Sequence, residues 1–402
     1  MIMKNEKSVD STKAGIAAYA WVILAVVYFS SVVAPFNQFK VPPIMPVLMQ
    51  AFGLGLAQAG QLMSIVAVIG MLLALPGGIM LQRWGPKAGL LIALGLMAIG
   101  AIAGALSDSF VGLLGSRAVE GLGIGLMGVT APATIAMWFP PERQGTPMGI
   151  WATWVPVGTV AIYYLAPALA ASFGWRSAWW IGAGFALVMM IFCGLLVTRP
   201  TAPGPVNAPV EHIPDLQAAF SNRNIWLIAL EFACFNLVLV ALGTYYPTFL
   251  SQVRGYSLEQ AAFVSSIGTL LILFSAPAAG WLSDRVGSRR LFFSLPFLAI
   301  ALLLIFPFRV TGWQIVATMV AQGIIAGAVP TASFAAVVEV IRKPQWAGLG
   351  LAAVLMGQNL GQLLGPVYFG SVVEKLGWEP AGYLLIPVCL IGFVCGWMVR
   401  VR

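Results

Sequence analysis

Residues 53–87 read GLGLAQAGQLMSIVAVIGMLLALPGGIMLQRWGPK, and residues 255–289 read GYSLEQAAFVSSIGTLLILFSAPAAGWLSDRVGSR. Laid over one another without gaps, 202 residues apart, they agree at ten of 35 positions. The shared residues are Gly53/Gly255, Leu56/Leu258, Gln58/Gln260, Ala59/Ala261, Ser64/Ser266, Ile65/Ile267, Ala74/Ala276, Gly78/Gly280, Arg83/Arg285 and Gly85/Gly287. Each copy is a glycine-led loop, some 25 apolar residues and a short basic turn. A repeat of half the chain length implies two structurally similar halves. Weaker echoes continue the register: Gly121 with Gly323, and Gly174-Trp175 with Gly377-Trp378 after a one-residue shift.

Sixty per cent of the residues are hydrophobic and 8% charged, against roughly 25% charged in a soluble domain. About 20 apolar residues cross a bilayer as a helix. By that measure twelve spans are predicted, at 17–39, 57–81, 88–106, 110–137, 146–172, 177–198, 225–250, 259–283, 290–308, 312–338, 347–373 and 378–399. The expected fold is an all-α polytopic membrane protein. Residues 1–198 and 224–402 form its two six-helix bundles, and the proline-rich 199–223, which holds His212, is a linker. A full-length span follows the polar first fourteen residues, so no cleavable signal is expected.

The net charge of +8 is distributed as topology, not as a nucleic-acid footprint. With both termini cytoplasmic, fifteen of the 21 Lys and Arg lie on the cytoplasmic side (Lys4, Lys7, Lys13, Arg83, Lys87, Arg143, Arg199, Arg223, Arg285, Arg289, Arg290, Arg342, Lys343, Arg400, Arg402). Four lie outside: Arg176, Arg254, Arg309 and Lys375. This positive-inside bias orients the chain. The remaining two are Lys40, directly at the end of the first span, and Arg117, within the fourth. Cys193, Cys234, Cys389 and Cys395 lie in apolar spans without metal-like spacing and read as small core residues. With a single histidine in the linker, no nucleophile–histidine–acid set can be assembled. An enzyme is not expected, nor is a cofactor or a metal.

The basic turn Gly280-Trp-Leu-Ser-Asp284-Arg285-Val-Gly287-Ser-Arg289-Arg290 resembles the signature loop of the major facilitator superfamily, which joins helices 2 and 3 and recurs between 8 and 9. The first copy departs from it, with Gln82 in place of the acid and Pro86 in place of an arginine. Arg117-x-x-x-Gly121-x-Gly123 is similar to the family's helix 4 motif. The resemblance implies two bundles rocking about a central site in alternating access, with Arg83, Gly85, Asp284, Arg285, Gly287 and Glu339 forming the cytoplasmic gate. It also implies a monomer in the inner (plasma) membrane, in contact with lipids. Asn37-Gln-Phe-Lys40-Val-Pro42-Pro43-Ile-Met-Pro46 resembles helix 1 of the family's anion carriers (cyanate, nitrate or organic anion transporters). The Gly-Pro motif of proton–drug antiporters is not evident in residues 149–170.

An ionisable group within a span costs about 2.5–3.5 kcal/mol on insertion scales. Lys40 therefore either offers its charge to an anion, with Asn37 beside it, or snorkels to the outer surface. Arg117 suits a carboxylate, or pairs with Glu120 at i+3. Glu120 and Glu231 are the candidate proton-coupling acids; Arg223 is a possible cap for Glu231. Gln358 and Asn359, with Gln362, form a polar patch that lines the cavity or joins helices. Tyr245 is a candidate ligand contact or an interfacial aromatic. The expected function is proton-coupled secondary transport of a small anion such as a carboxylate. The alternative is a proton-coupled multidrug or cation antiporter using Glu120 or Glu231.

Overall fold

A computed structural model describes residues 7–140, 143–198, 222–341 and 347–400. Most of the expected linker 199–223, including His212, lies outside the described residues, as do Lys4, Glu142, Arg199, Arg342, Lys343 and Arg402. Everything regular among the described residues is helical. In chain order come α1 (Lys7–Gln38), a 3-10 turn (Pro42–Ile44), α2 (Met45–Phe52), α3 (Leu56–Ala105), α4 (Phe110–Trp138), α5 (Gly145–Trp151), α6 (Trp154–Phe173) and α7 (Arg176–Leu196). The second half has α8 (Arg223–Gln252), α9 (Leu258–Val286), α10 (Arg289–Leu303), α11 (Trp313–Ala326), α12 (Ala328–Ile341), α13 (Ala347–Leu376), α14 (Trp378–Tyr383) and α15 (Leu385–Met398).

Among the described residues, ten stretches are long and apolar enough to cross a membrane. The expected spans 290–308 and 347–373 are helices but are not among the ten. The first forms only the 15-residue α10, about 22 Å at 1.5 Å per residue. In the second, Gln358, Asn359 and Gln362 interrupt the apolar run of α13. Expected spans 2 and 3 run together as α3, broken where Gly85 takes φ 80°.

The 202-residue register recurs in the packing. Gly121 brings α4 so close to α3 that a Cβ there would lie 3.1 Å from the Val66 Cα. Gly323 does the same for α11 on α9, where a Cβ would lie 2.8 Å from the Gly268 Cα; both members of this contact are shifted by 202. Gly53/Gly255, Gly85/Gly287 and Gly174/Gly377 all have positive φ. Such backbone is inexpensive only without a side chain. The contacts between the halves are also duplicated: α3 packs on α13, and α6 on α9. The register carries α3 onto α9, and α6 onto residues 356–375 of α13, so these are one contact made twice.

The halves are tied together at the end of the molecule that bears the 53–55 loop. Tyr245 Oη donates to Leu56 O at 2.8 Å, and Ser64 Oγ to Leu363 O at 2.6 Å. Tyr163 Oη donates to Gly243 O at 2.7 Å, and the Ala57 amide to Glu374 Oε1 at 3.1 Å. The Arg83 turn lies at the Gly85 break of α3 and the Arg289 turn just past the C-terminal end of α9, each a helix length away from this end.

Candidate functional site

The site begins with a broken helix. Pro42 has no N–H to give to the Gln38 carbonyl four residues back, so α1 stops at Gln38 and its last carbonyls need other donors. Arg117, from α4, supplies them. Its Nη2 donates to Gln38 O at 2.7 Å and its Nη1 to Asn37 O at 2.8 Å. Its Nε donates to Leu62 O of α3 at 3.1 Å, and Nη1 also pairs with Glu120 one turn along α4. Four of the guanidinium's five N–H groups are thereby engaged, holding α1, α3 and α4 together.

Lys40 sits in the gap after α1. Its Nζ lies 2.5 Å from Glu120 Oε1 and 3.1 Å from Asn37 Oδ1. The ammonium also stands over the Trp179 ring, 4.6 Å from its centroid. Lys40, Arg117, Glu120 and Asn37 are all fully buried; Lys40 does not reach a surface. Two cations thus share one carboxylate, whose oxygens take one each, leaving one positive charge in excess.

Small residues admit this cluster. A Cβ on Gly182 would come within 2.3 Å of Asn37 Oδ1, and one on Gly100 within 2.7 Å of Glu120 Cγ. Asn37 is oriented by its Nδ2, which donates to Val33 O at 3.0 Å and Gly182 O at 3.4 Å. Trp179, from α7, forms the wall over Lys40. Nothing local marks that role, because the partner is 139 positions away.

The other predicted residues fall in separate places. Gln38 Nε2 donates to Gln362 Oε1 at 3.1 Å, linking the back of the cluster to α13. Asn359 donates to its own helix at Leu355 O, and Gln358 is half-buried nearby. Tyr245 bonds backbone carbonyls of α3 and α13 and lies in the contact between halves, not in the charged cluster. Glu231 is fully buried in α8, where Ser333 of α12, not Arg223, is its partner. Trp151 and Trp154 stack at 5.5 Å, and Trp151 Nε1 donates to Ser31 Oγ at 2.9 Å.

In the second basic turn Arg289 is the hub. It pairs with Asp284 and, at 3.1 Å, with Glu339, and it also reaches Ser283. Arg285 lies instead over the Trp281 ring at 4.0 Å. Gly287 caps α9 in the left-handed region. In the first turn Arg83 is exposed, and Gln82, by sequence, offers no acid. A cleft of about 290 Å³ opens there between Trp84, Lys87, Leu91, Thr134, Trp138 and Thr198.

The family model described as Major Facilitator Superfamily matches residues 27–317 and 291–402. The chain is 23% identical to the hexuronate transporter of Bacillus subtilis, over 85% of either protein. It is 28% identical to the 4-hydroxybenzoate transporter of Pseudomonas aeruginosa, over 60% of this chain and 61% of that one. A solved structure of a bacterial homolog of the human lysosomal transporter Spinster, inward-facing and unoccupied, superposes with a TM-score of 0.77. It is 19% identical, over 94% of this chain and 92% of the other.

Proposed function

The chain belongs to the Major Facilitator Superfamily as a multi-pass transporter of the plasma membrane; from that premise we propose that it carries a small organic anion, foremost a carboxylate, together with a proton. The observation that carries this reading is the closed cluster in which Lys40 and Arg117 share Glu120. Both cations are engaged, so an anion can bind them only when Glu120 releases them. Protonating Glu120 removes the charge that holds them, and the substrate's carboxylate then takes its place. Proton and anion bind together and leave together, which is symport. The names of the hexuronate and 4-hydroxybenzoate relatives support the substrate class, since both compounds carry a carboxylate.

The remainder of the architecture follows from the charge bias. Twelve spans in two bundles, with both termini cytoplasmic, put the Arg83 and Arg289 turns inside. The contacts at Leu56, Tyr245 and Glu374 then close the outer end, and alternating access requires them to part.

The test is uptake into proteoliposomes of a hexuronate and an aromatic carboxylate under an imposed proton gradient. Uptake is expected to be gradient-dependent and to fall at least tenfold in Lys40→Ala and in Arg117→Ala. Unchanged uptake in both variants would sink the reading. A response confined to lipophilic cations would turn it towards the antiporter.

A further inference from the structure

Glu231 is the second fully buried acid, and its surroundings differ in kind from those of Glu120. Among the described residues its Oε1 has no hydrogen-bond partner, and no cation pairs with it. The titratable groups close enough to sense it are thiols, Cys234 on its own helix and Cys395 on α15. Phe232 and Phe334, stacked edge-on at 5.2 Å, flank Glu231 and Ser333 in sequence.

Among the described residues its one polar contact is to Ser333. Its Oγ lies 2.8 Å from Val329 O, one turn back on α12, and 3.0 Å from Glu231 Oε2. A hydroxyl has one hydrogen. Either Val329 O or Glu231 Oε2 can accept it; the shorter contact gives it to the helix carbonyl, as serine back-bonds do. The contact with Glu231 is then a hydrogen bond only when the carboxyl is the donor, that is, when it is the neutral acid. The bare Oε1 agrees: an unpaired carbonyl oxygen is a modest cost in an apolar interior, whereas a carboxylate with a bare oxygen and no cation is a large one.

We propose that Glu231 is a proton-binding site of the second half, loaded in the conformation described here, with Ser333 as the acceptor that holds the acid in place. It stands apart from the anion-binding cluster and acts on a different helix pair, α8 and α12. The protonation rests on this geometry alone; its use in transport rests on the proton-coupled reading above.

Infrared spectroscopy of the purified protein near neutral pH tests the site without any substrate. Wild type and Glu120→Gln are expected to show the carbonyl stretch of a protonated carboxylic acid, and Glu231→Gln to lack it. Ser333→Ala, which removes the acceptor, is expected to keep the band and move it to higher wavenumber. Glu231→Gln mimics the neutral acid in shape and charge, so its melting temperature is expected to stay within a degree or two of wild type. A spectrum unaltered by Glu231→Gln, or a band unmoved by Ser333→Ala, overturns the proposal, whatever substrate the transporter proves to carry.

Discussion

The same place in the two halves is occupied in opposite ways. The 202-residue register carries Asn37, Lys40, Arg117 and Glu120 onto Leu239, Leu242, Met319 and Gln322. In the first half these positions hold a closed set of charges. In the second they line a cleft of about 80 Å³, together with Tyr246, Ser265 and Thr269. Around both, the scaffold is alike: Gly121 on Val66, Gly323 on Gly268. Duplication has kept the backbone contacts and let the chemistry diverge. Glu231, the buried acid of the second half, stands at a position whose counterpart is Phe29. Charge in the first half is met by charge; in the second, among the described residues, no cation pairs with Glu231 and a serine is its one polar partner.

The strongest way to break this comparison is to delete the compensation. Glu120→Ala leaves Lys40 and Arg117 buried without their counter-charge, and removing one partner of a buried pair costs about 3–5 kcal/mol. Purified Glu120→Ala is therefore expected to melt well below wild type. A melting temperature within a degree or two of wild type would show that water or lipid already compensates the cations.

A smaller effect comes from building the first half's pair into the second. Met319→Arg puts an unpaired cation against the cleft at Leu239 and Leu242, a cost of about 2.5–3.5 kcal/mol at membrane depth. Adding Gln322→Glu, three residues on, supplies the partner that Glu120 is to Arg117, and is expected to recover part of the loss. A double-mutant cycle in thermal stability reads the coupling directly. Additive losses would mean that the backbone carbonyls around Arg117, freed by Pro42, matter more than the acid. Leu242 is followed by no such proline pair.

Those carbonyls show what could be read from sequence and what could not. The repeat, the glycine pairs and the apolar runs are local signals; helices form at each apolar run, although α10 and α13 are not among the ten stretches long and apolar enough to cross a membrane. That Arg117 meets Glu120 is also local, because i and i+3 share a helix face. Lys40 joining the same acid is not. It depends on Pro42 ending α1 at the level of α4, 80 residues away, and hydropathy does not encode that depth. Likewise nothing near Glu231 points to Ser333, 102 residues on. Glu339 is placed in the gate by resemblance alone; the turn at Gly287 brings Arg289 to it.

That last pair sets the lower limit of the comparison, a charge cluster outside the apolar core. Burial by itself would lower the pKa of Arg289, but the carboxylates of Glu339 and Asp284 outweigh it and hold it above the usual arginine value. Arg289 is 22% exposed, and its partners Asp284 and Glu339 are 62% and 41% exposed, so water shares the interaction. Exposed pairs contribute about 0.2–1 kcal/mol, and Arg289→Ala should cost no more than about twice that for its two acids. Salt separates this cluster from the buried one. At 1 M ionic strength the screening length is about 3 Å, and the difference in melting temperature between wild type and Arg289→Ala should shrink. The loss on Glu120→Ala should persist, because ions do not enter the gap between α1 and α4. Equal salt sensitivity of the two variants would mean that the Lys40–Glu120–Arg117 cluster is open to solvent, and that its charges are not the closed set on which the proposed proton-linked release depends.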